Sequence, residues 1–347
     1  MASSIQANYL GLSLNSPIIV GACPLTARPE SVREFVVAGA GAIVLPSLFQ
    51  EQVVHRRLEK RQPTTEPETK LESQYYSHLN ESPYGSVEAY IELIRTLKAA
   101  AGIPIIASLN GCSGGSWLAV VDELHAAGAD AVEASIEPDN FNASQSAETV
   151  EHEALAGLAQ LCQQSPLPVS VKLSPFHTNL SHLAWQLAKV GVAGLVCFAH
   201  EMTWVVHTDR IATSLDWELT PASHINPTVS GLLRVRTGGP EMDLAASGGI
   251  SLPEDMLKTM IAGADVVMVT SEIYRSGPDI IAHLNESLAR YLSQHQFTSF
   301  AEFKANRPPL QLQPRAAFLH SLTAGGQISD PTPRVTQQTG DRWGHLQ

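Results

Sequence analysis

The sequence predicts a closed (β/α)8 barrel, an α/β fold, and three observations carry that prediction. First, one pattern recurs: a helical stretch ends in small residues and glycine, and a short β-branched run follows at once. It appears in VVAGAGAIVL (36–45), AAAGIPIIASL (99–109), HAAGADAVEAS (125–135), KVGVAGLVCF (189–198) and MIAGADVVMV (260–269). Glycine ends such helices because it accepts the left-handed conformation. The apolar run that follows reads as a strand buried on both faces. Second, PIIVGA (17–22), LPVSVKL (167–173) and DLAASGG (243–249) bring the strands to eight, the number that closes a parallel barrel. Third, no GxGxxG follows the first strand, where an open dinucleotide-binding sheet would carry one.

Helices are expected at about 29–38, 86–101, 117–127, 147–164, 178–190, 253–262 and 277–295, with a sixth-position helix near 230–236. Strict alternation of strand and helix implies a parallel sheet with right-handed crossovers. Two connections exceed ordinary loops: 46–85 after the second strand and 200–242 after the sixth. Both leave C-terminal strand ends, where barrels place ligand sites, so both are candidate lids or walls. The barrel is assigned to 1–304. Residues 305–347, with Pro308, Pro309, Pro314, Pro331 and Pro333, read as a docked turn and a disordered tail.

Composition narrows the function. The 347 residues carry 22 basic and 34 acidic side chains, a net charge of −12. That balance disfavours a nucleic-acid or anionic-membrane partner. The cluster Arg56, Arg57, Lys60 and Arg61 reads as a solvated loop or helix face. Cys23, Cys112, Cys162 and Cys197 show neither CxxC spacing nor disulfide density, and the histidines lack metal spacing, so no metal is expected. The N-terminus lacks a secretory pattern, and the long uncharged run 99–121 contains Pro104, Asn110 and four glycines. A cytoplasmic protein without a membrane span is the expectation.

The strand ends supply the chemistry. ASGGI (246–250) and VTSEIY (269–274) are adjacent ends that each run into a helix. Gly248 and Gly249 admit close backbone approach, and Thr270 and Ser271 add hydroxyls and amides, the makings of a phosphate cup; tight turns alone are the alternative. Lys172 interrupts an apolar strand and either faces an anion inside the mouth or snorkels out. Inward, it could hold the electron-rich edge of a reduced flavin. Ser135, Ser108, Asn110, Gly21, Ala22 and Cys23 complete the ring.

These segments resemble the dihydroorotate dehydrogenase family of FMN-binding barrels, which includes the flavin domain of dihydropyrimidine dehydrogenase. LGLSLNSPIIVGACPLT (10–26), IPIIASLNGCSGGSW (103–117), GADAVEASIEPDN (128–140), PVSVKL (168–173) and LAASGGISLPEDMLKTMIAGADVVMVTSEIYRSGP (244–278) carry the resemblance over about residues 8–300. It implies FMN held by Gly21, Ala22, Ser47, Asn110, Ser135, Lys172, Gly248, Gly249, Thr270 and Ser271, and a substrate held by Asn80 and Asn140. It implies an oxidoreductase acting on CH–CH groups, oxidising dihydroorotate or a related dihydropyrimidine in pyrimidine biosynthesis. A homodimer and a protein electron acceptor are possible partners.

The sequence also departs from the family. Where the family motif places a catalytic cysteine or serine, Ser135-Ile136-Glu137-Pro138-Asp139-Asn140 places Pro138. The lysine of a Thr-Lys-Ser pattern is replaced within VLPS by Leu45, and the asparagines after the sixth strand roughly by Cys197 and His200. Dihydroorotate oxidation needs a base to take a proton while hydride leaves, and proline has no acceptor. Glu137, Cys112 and His200 are the substitute bases to weigh, each against a simple packing or surface role. A flavin barrel with another substrate or acceptor, or a catalytically silent binding module, is the alternative function.

Overall fold

The computed structural model describes residues 3–79, 84–111, 116–136, 142–310 and 315–323. A hairpin, β1 (Ala7–Tyr9) and β2 (Leu12–Leu14), leads into β3 (Ile18–Val20) and α1 (Pro29–Val37). Next come β4 (Ala42–Phe49), α2 (Gln50–Glu59), α3 (Glu66–Leu79) and α4 (Val87–Ala101). The centre is β5 (Ile105–Gly111), α5 (Val121–Ala127), β6 (Ala131–Ile136), α6 (Ala147–Gln164), β7 (Val169–Leu173), α7 (Leu180–Lys189) and β8 (Gly194–Cys197). A second hairpin, β9 (Thr203–His207) and β10 (Ala212–Asp216), precedes α8 (Asn226–Gly238), β11 (Asp243–Ser247), α9 (Pro253–Ala262) and β12 (Val266–Val269). The chain then forms α10 (Ser271–Ser276), α11 (Asp279–Gln294), α12 (Phe300–Ala305) and α13 (Arg315–Thr323).

The expected barrel is present. β3, β4, β5, β6, β7, β8, β11 and β12 pair in parallel and close on β3. The recurrent small-residue pattern works as read: Gly102 and Gly128 end α4 and α5 at φ 65° and 104°, and each following strand enters a core of Ile, Val and Leu. Chain contacts divide the protein into Met1–Pro308 and Pro309–Gln347. The barrel lies in the first; α13 lies in the second, where the sequence reading has no regular element.

Three details depart from the sequence reading. The second barrel strand continues to Phe49, because a register shift between Val44 and Ser47 absorbs Pro46, as prolines in central strands require. There Tyr90 Oη accepts from the Ser108 N–H at 3.0 Å and donates to the Ser108 carbonyl at 3.2 Å. The 46–85 connection is therefore largely helical, as α2 and α3. Nor is the basic cluster simply a solvated face: Arg56 is buried and grips Glu123 through both terminal nitrogens, at 3.0 and 2.7 Å. Planar bidentate pairing is what allows a guanidinium to be buried. The first hairpin, unforeseen in sequence, inserts Tyr9 fully beneath the barrel, and the Asp243 carboxylate accepts from Leu10 N–H at 2.6 Å.

Candidate active site

The segments read as a phosphate cup lie where β11 and β12 end. Gly248 and Gly249 adopt φ 102° and 74°, backbone that side chains resist. Their surroundings differ. A Cβ at Gly249 would lie 2.4 Å from the His224 carbonyl oxygen, so the loop before α8 requires that glycine. A Cβ at Gly248 would meet only Thr228 Oγ1, at 3.8 Å, leaving open room beside it. Across the barrel seam, Thr270 Oγ1 lies 2.5 Å from where a Gly21 Cβ would sit. Among the described residues, none accepts a hydrogen bond from the amides of Gly248, Gly249 or Thr270. The Ser271 hydroxyl is already engaged, accepting from Thr220 N–H at 3.1 Å. Gly248 and the amides therefore offer the room for an anion, while Gly249 and the Ser271 side chain also serve the fold.

Inside the barrel, neighbouring strands align polar residues in two rows. Ser47, Ser108, Glu133 and Ser170 share one, and Asn110, Ser135 and Lys172 share the next towards the C-terminal ends. Ser47 and Ser108 hydroxyls bond at 2.8 Å. Lys172 turns inward rather than snorkelling out: its Nζ lies 2.5 Å from Glu133 Oε1. The approach is an ion pair by distance but not aligned as a hydrogen bond, and neither Glu133 oxygen has a hydrogen-bond partner among the described residues. Burial, and then the Glu133 charge, hold the Tyr9 phenol well above its ordinary range. The sequence reading missed Glu133. A carboxylate alternating with Ser135 in AVEASI, inside a strand buried on both faces, was the available clue.

Other candidates fall as follows. Ala22 is half-buried against the core. His200 is held by its own loop: Nδ1 lies 3.0 Å from Thr220 Oγ1, and Trp217 meets the ring edge-on at 4.4 Å. Its Nε2 is buried without a hydrogen bond among the described residues. Burial pushes the Cys23 thiol up, and the Cys197 thiol up to about 12, which leaves both poor proton acceptors. Laid on Leu45-Pro46-Ser47, the Thr-Lys-Ser pattern puts its lysine at Pro46, and not at Leu45, which is buried. Asn80, Cys112, Glu137, Pro138 and Asn140 lie outside the described residues. Among the described residues no cluster of three or more metal-ligating side chains occurs, and no helix is long and apolar enough to cross a membrane.

The fold and site define a closed parallel (β/α)8 barrel with open strand-end amides on its seventh and eighth strands and an inward lysine on its fifth. Comparison with known proteins narrows it. The family model described as dihydroorotate dehydrogenase matches residues 73–292. The chain is 27% identical over 292 residues to dihydroorotate dehydrogenase A (fumarate) of Limosilactobacillus reuteri, covering 81% of this chain and 92% of that protein. It is 21% identical over 315 residues to the dihydroorotate dehydrogenase B (NAD(+)) catalytic subunit of Pyrococcus abyssi, covering 86% and 97%. This chain belongs to the dihydroorotate dehydrogenase family of oxidoreductases.

Proposed function

We propose that the protein is an FMN-dependent oxidoreductase that oxidises dihydroorotate or a related dihydropyrimidine, slowly or with altered specificity. The observation that carries the cofactor reading is an inward lysine on β7 in the same barrel mouth as open strand-end amides. Bound there, FMN would supply hydride acceptance. The amides of Gly248, Gly249 and Thr270 would hold its phosphate, beside Ser271 and Gly21. Ser47, Ala22, Asn110, Ser135 and Lys172 would line its ring system, with the lysine stabilising negative charge on the reduced form. Asn80 and Asn140 would hold the substrate. Pro46 and Pro138 remove a cation and a proton acceptor, so the residues available to bind a substrate carboxylate and take its proton are fewer than in the family pattern. That same loss favours the second reading, a different substrate on the same cup. Prolonged anaerobic incubation of the FMN-loaded protein with dihydroorotate, and in parallel with dihydrouracil, tests the substrate class. Bleaching by either is expected; bleaching by neither overturns it.

The partner is read as a second copy of the chain. Along the β9–β10 hairpin, Trp204, Val206, Ile211 and Trp217 are 57, 68, 95 and 65% exposed, and Met202 and Leu215 about half exposed. Trp204 faces Leu215 across the ladder, and alternation puts Trp204, Val206 and Leu215 on one face, with Met202, Ile211 and Trp217 at the strand ends. Such a face is what a second copy would cover in a standard stable interface, to which each partner contributes about 800 Å². Light scattering is expected to give a dimer that Trp204→Ser with Trp217→Ser dissociates without unfolding. A monomeric native protein would contradict it.

A further inference from the structure

With FMN read as the occupant of that cup, we infer that Glu133 is a positioning residue for Lys172. It draws the ammonium back into the barrel and offsets the charge that the lysine presents to the flavin. Lys172 stands in register with Ser135, one row nearer the mouth, whereas Glu133 stands in register with Ser170. To come within 2.5 Å of Glu133 Oε1, the lysine side chain must reach back from its own row, away from the mouth. Glu133 is 1% exposed in its side chain and Lys172 14%. Neither Glu133 oxygen has a hydrogen bond among the described residues, so the ammonium is the group that compensates this buried charge. A buried carboxylate left without its partner is strongly unfavourable. A purely structural pair would do better with its oxygens hydrogen-bonded; this one is tied to the inward lysine on β7.

The consequence is a sign pattern. Removing the carboxylate unmasks a positive charge beside the flavin; removing the lysine leaves a negative one; removing both leaves neither. Midpoint potentials of bound FMN are therefore expected to rise in Glu133→Gln and fall in Lys172→Met. The double variant should lie between them, near the native value. An unchanged or lowered potential in Glu133→Gln at full FMN occupancy would overturn the inference. Thermal unfolding of the flavin-free proteins reads the pair independently of the cofactor. Lys172→Met should melt well below the native protein, and adding Glu133→Gln should recover much of that loss. Failure of FMN to bind any of the four proteins would count against the cofactor reading, whereas absence of that recovery would count against the pairing itself.

Discussion

Mixed anaerobically with dihydroorotate in a single turnover, the FMN-loaded protein is expected to lose its flavin absorbance 10²–10⁴-fold more slowly than relatives that keep the cysteine or serine base. That range is what a positioned general base contributes, about 3–5 kcal/mol of barrier. Pro138 has no proton acceptor, and Leu45-Pro46-Ser47, read against the Thr-Lys-Ser pattern, contains no lysine. Loss of that cation weakens the hold on a carboxylate substrate, so the observed rate should also saturate only at high dihydroorotate. Pro138→Cys should accelerate the reduction. Rapid reduction by the native protein would show that another group takes the proton. His200 would be the first to replace, because its Nε2 is buried without a hydrogen bond among the described residues. No acceleration by the added cysteine, with slow native reduction, would favour a substrate other than dihydroorotate.

Gly249→Ala is expected to destabilise the fold by about 3 kcal/mol or more, combining overpacking of about 1–3 kcal/mol with about 1–2 kcal/mol of left-handed backbone strain. The reason is the His224 backbone, whose carbonyl oxygen would lie 2.4 Å from the new methyl group. Gly248→Ala carries the strain without the collision, its Cβ lying 3.8 Å from Thr228 Oγ1. It should therefore melt closer to the native protein while losing FMN affinity, because the methyl group enters the open side of the cup. Chemical denaturation and FMN titration of the two variants separate these effects. Equal stabilities would mean that the loop before α8 yields freely, and unaltered FMN affinity in Gly248→Ala would place the phosphate elsewhere. A larger side chain at Gly249 would therefore disturb the fold before it reached a ligand.

The barrel was legible because its signals are local. A small-residue helix end followed by a β-branched run needs only neighbouring residues to be read, and it recurs along the chain. The inward lysine was legible because a cation in an apolar strand is costly and must be explained. What escaped depends on contacts between distant segments. Tyr9 under the barrel, Arg56 on Glu123, and the His224 backbone against Gly249 join residues that no periodicity connects. Pro46 misled the reading of the second strand, since a proline marks a strand end unless a bulge absorbs it, and the bulge is set by pairing with β5. Glu133 was overlooked because its meaning comes from Lys172 on the next strand. The substitute-base candidates Cys112 and Glu137 and the substrate asparagines Asn80 and Asn140 lie outside the described residues.

Binding of FMN at the ends of β11 and β12 is what the site proposal requires. Its most direct test is the visible spectrum of protein reconstituted with excess FMN and then passed through a desalting column. The expected result is a retained flavin spectrum near one FMN per chain, largely lost in Gly248→Asp, whose carboxylate would occupy the cup and repel the phosphate. A colourless native protein, with all FMN eluting free, would contradict the account.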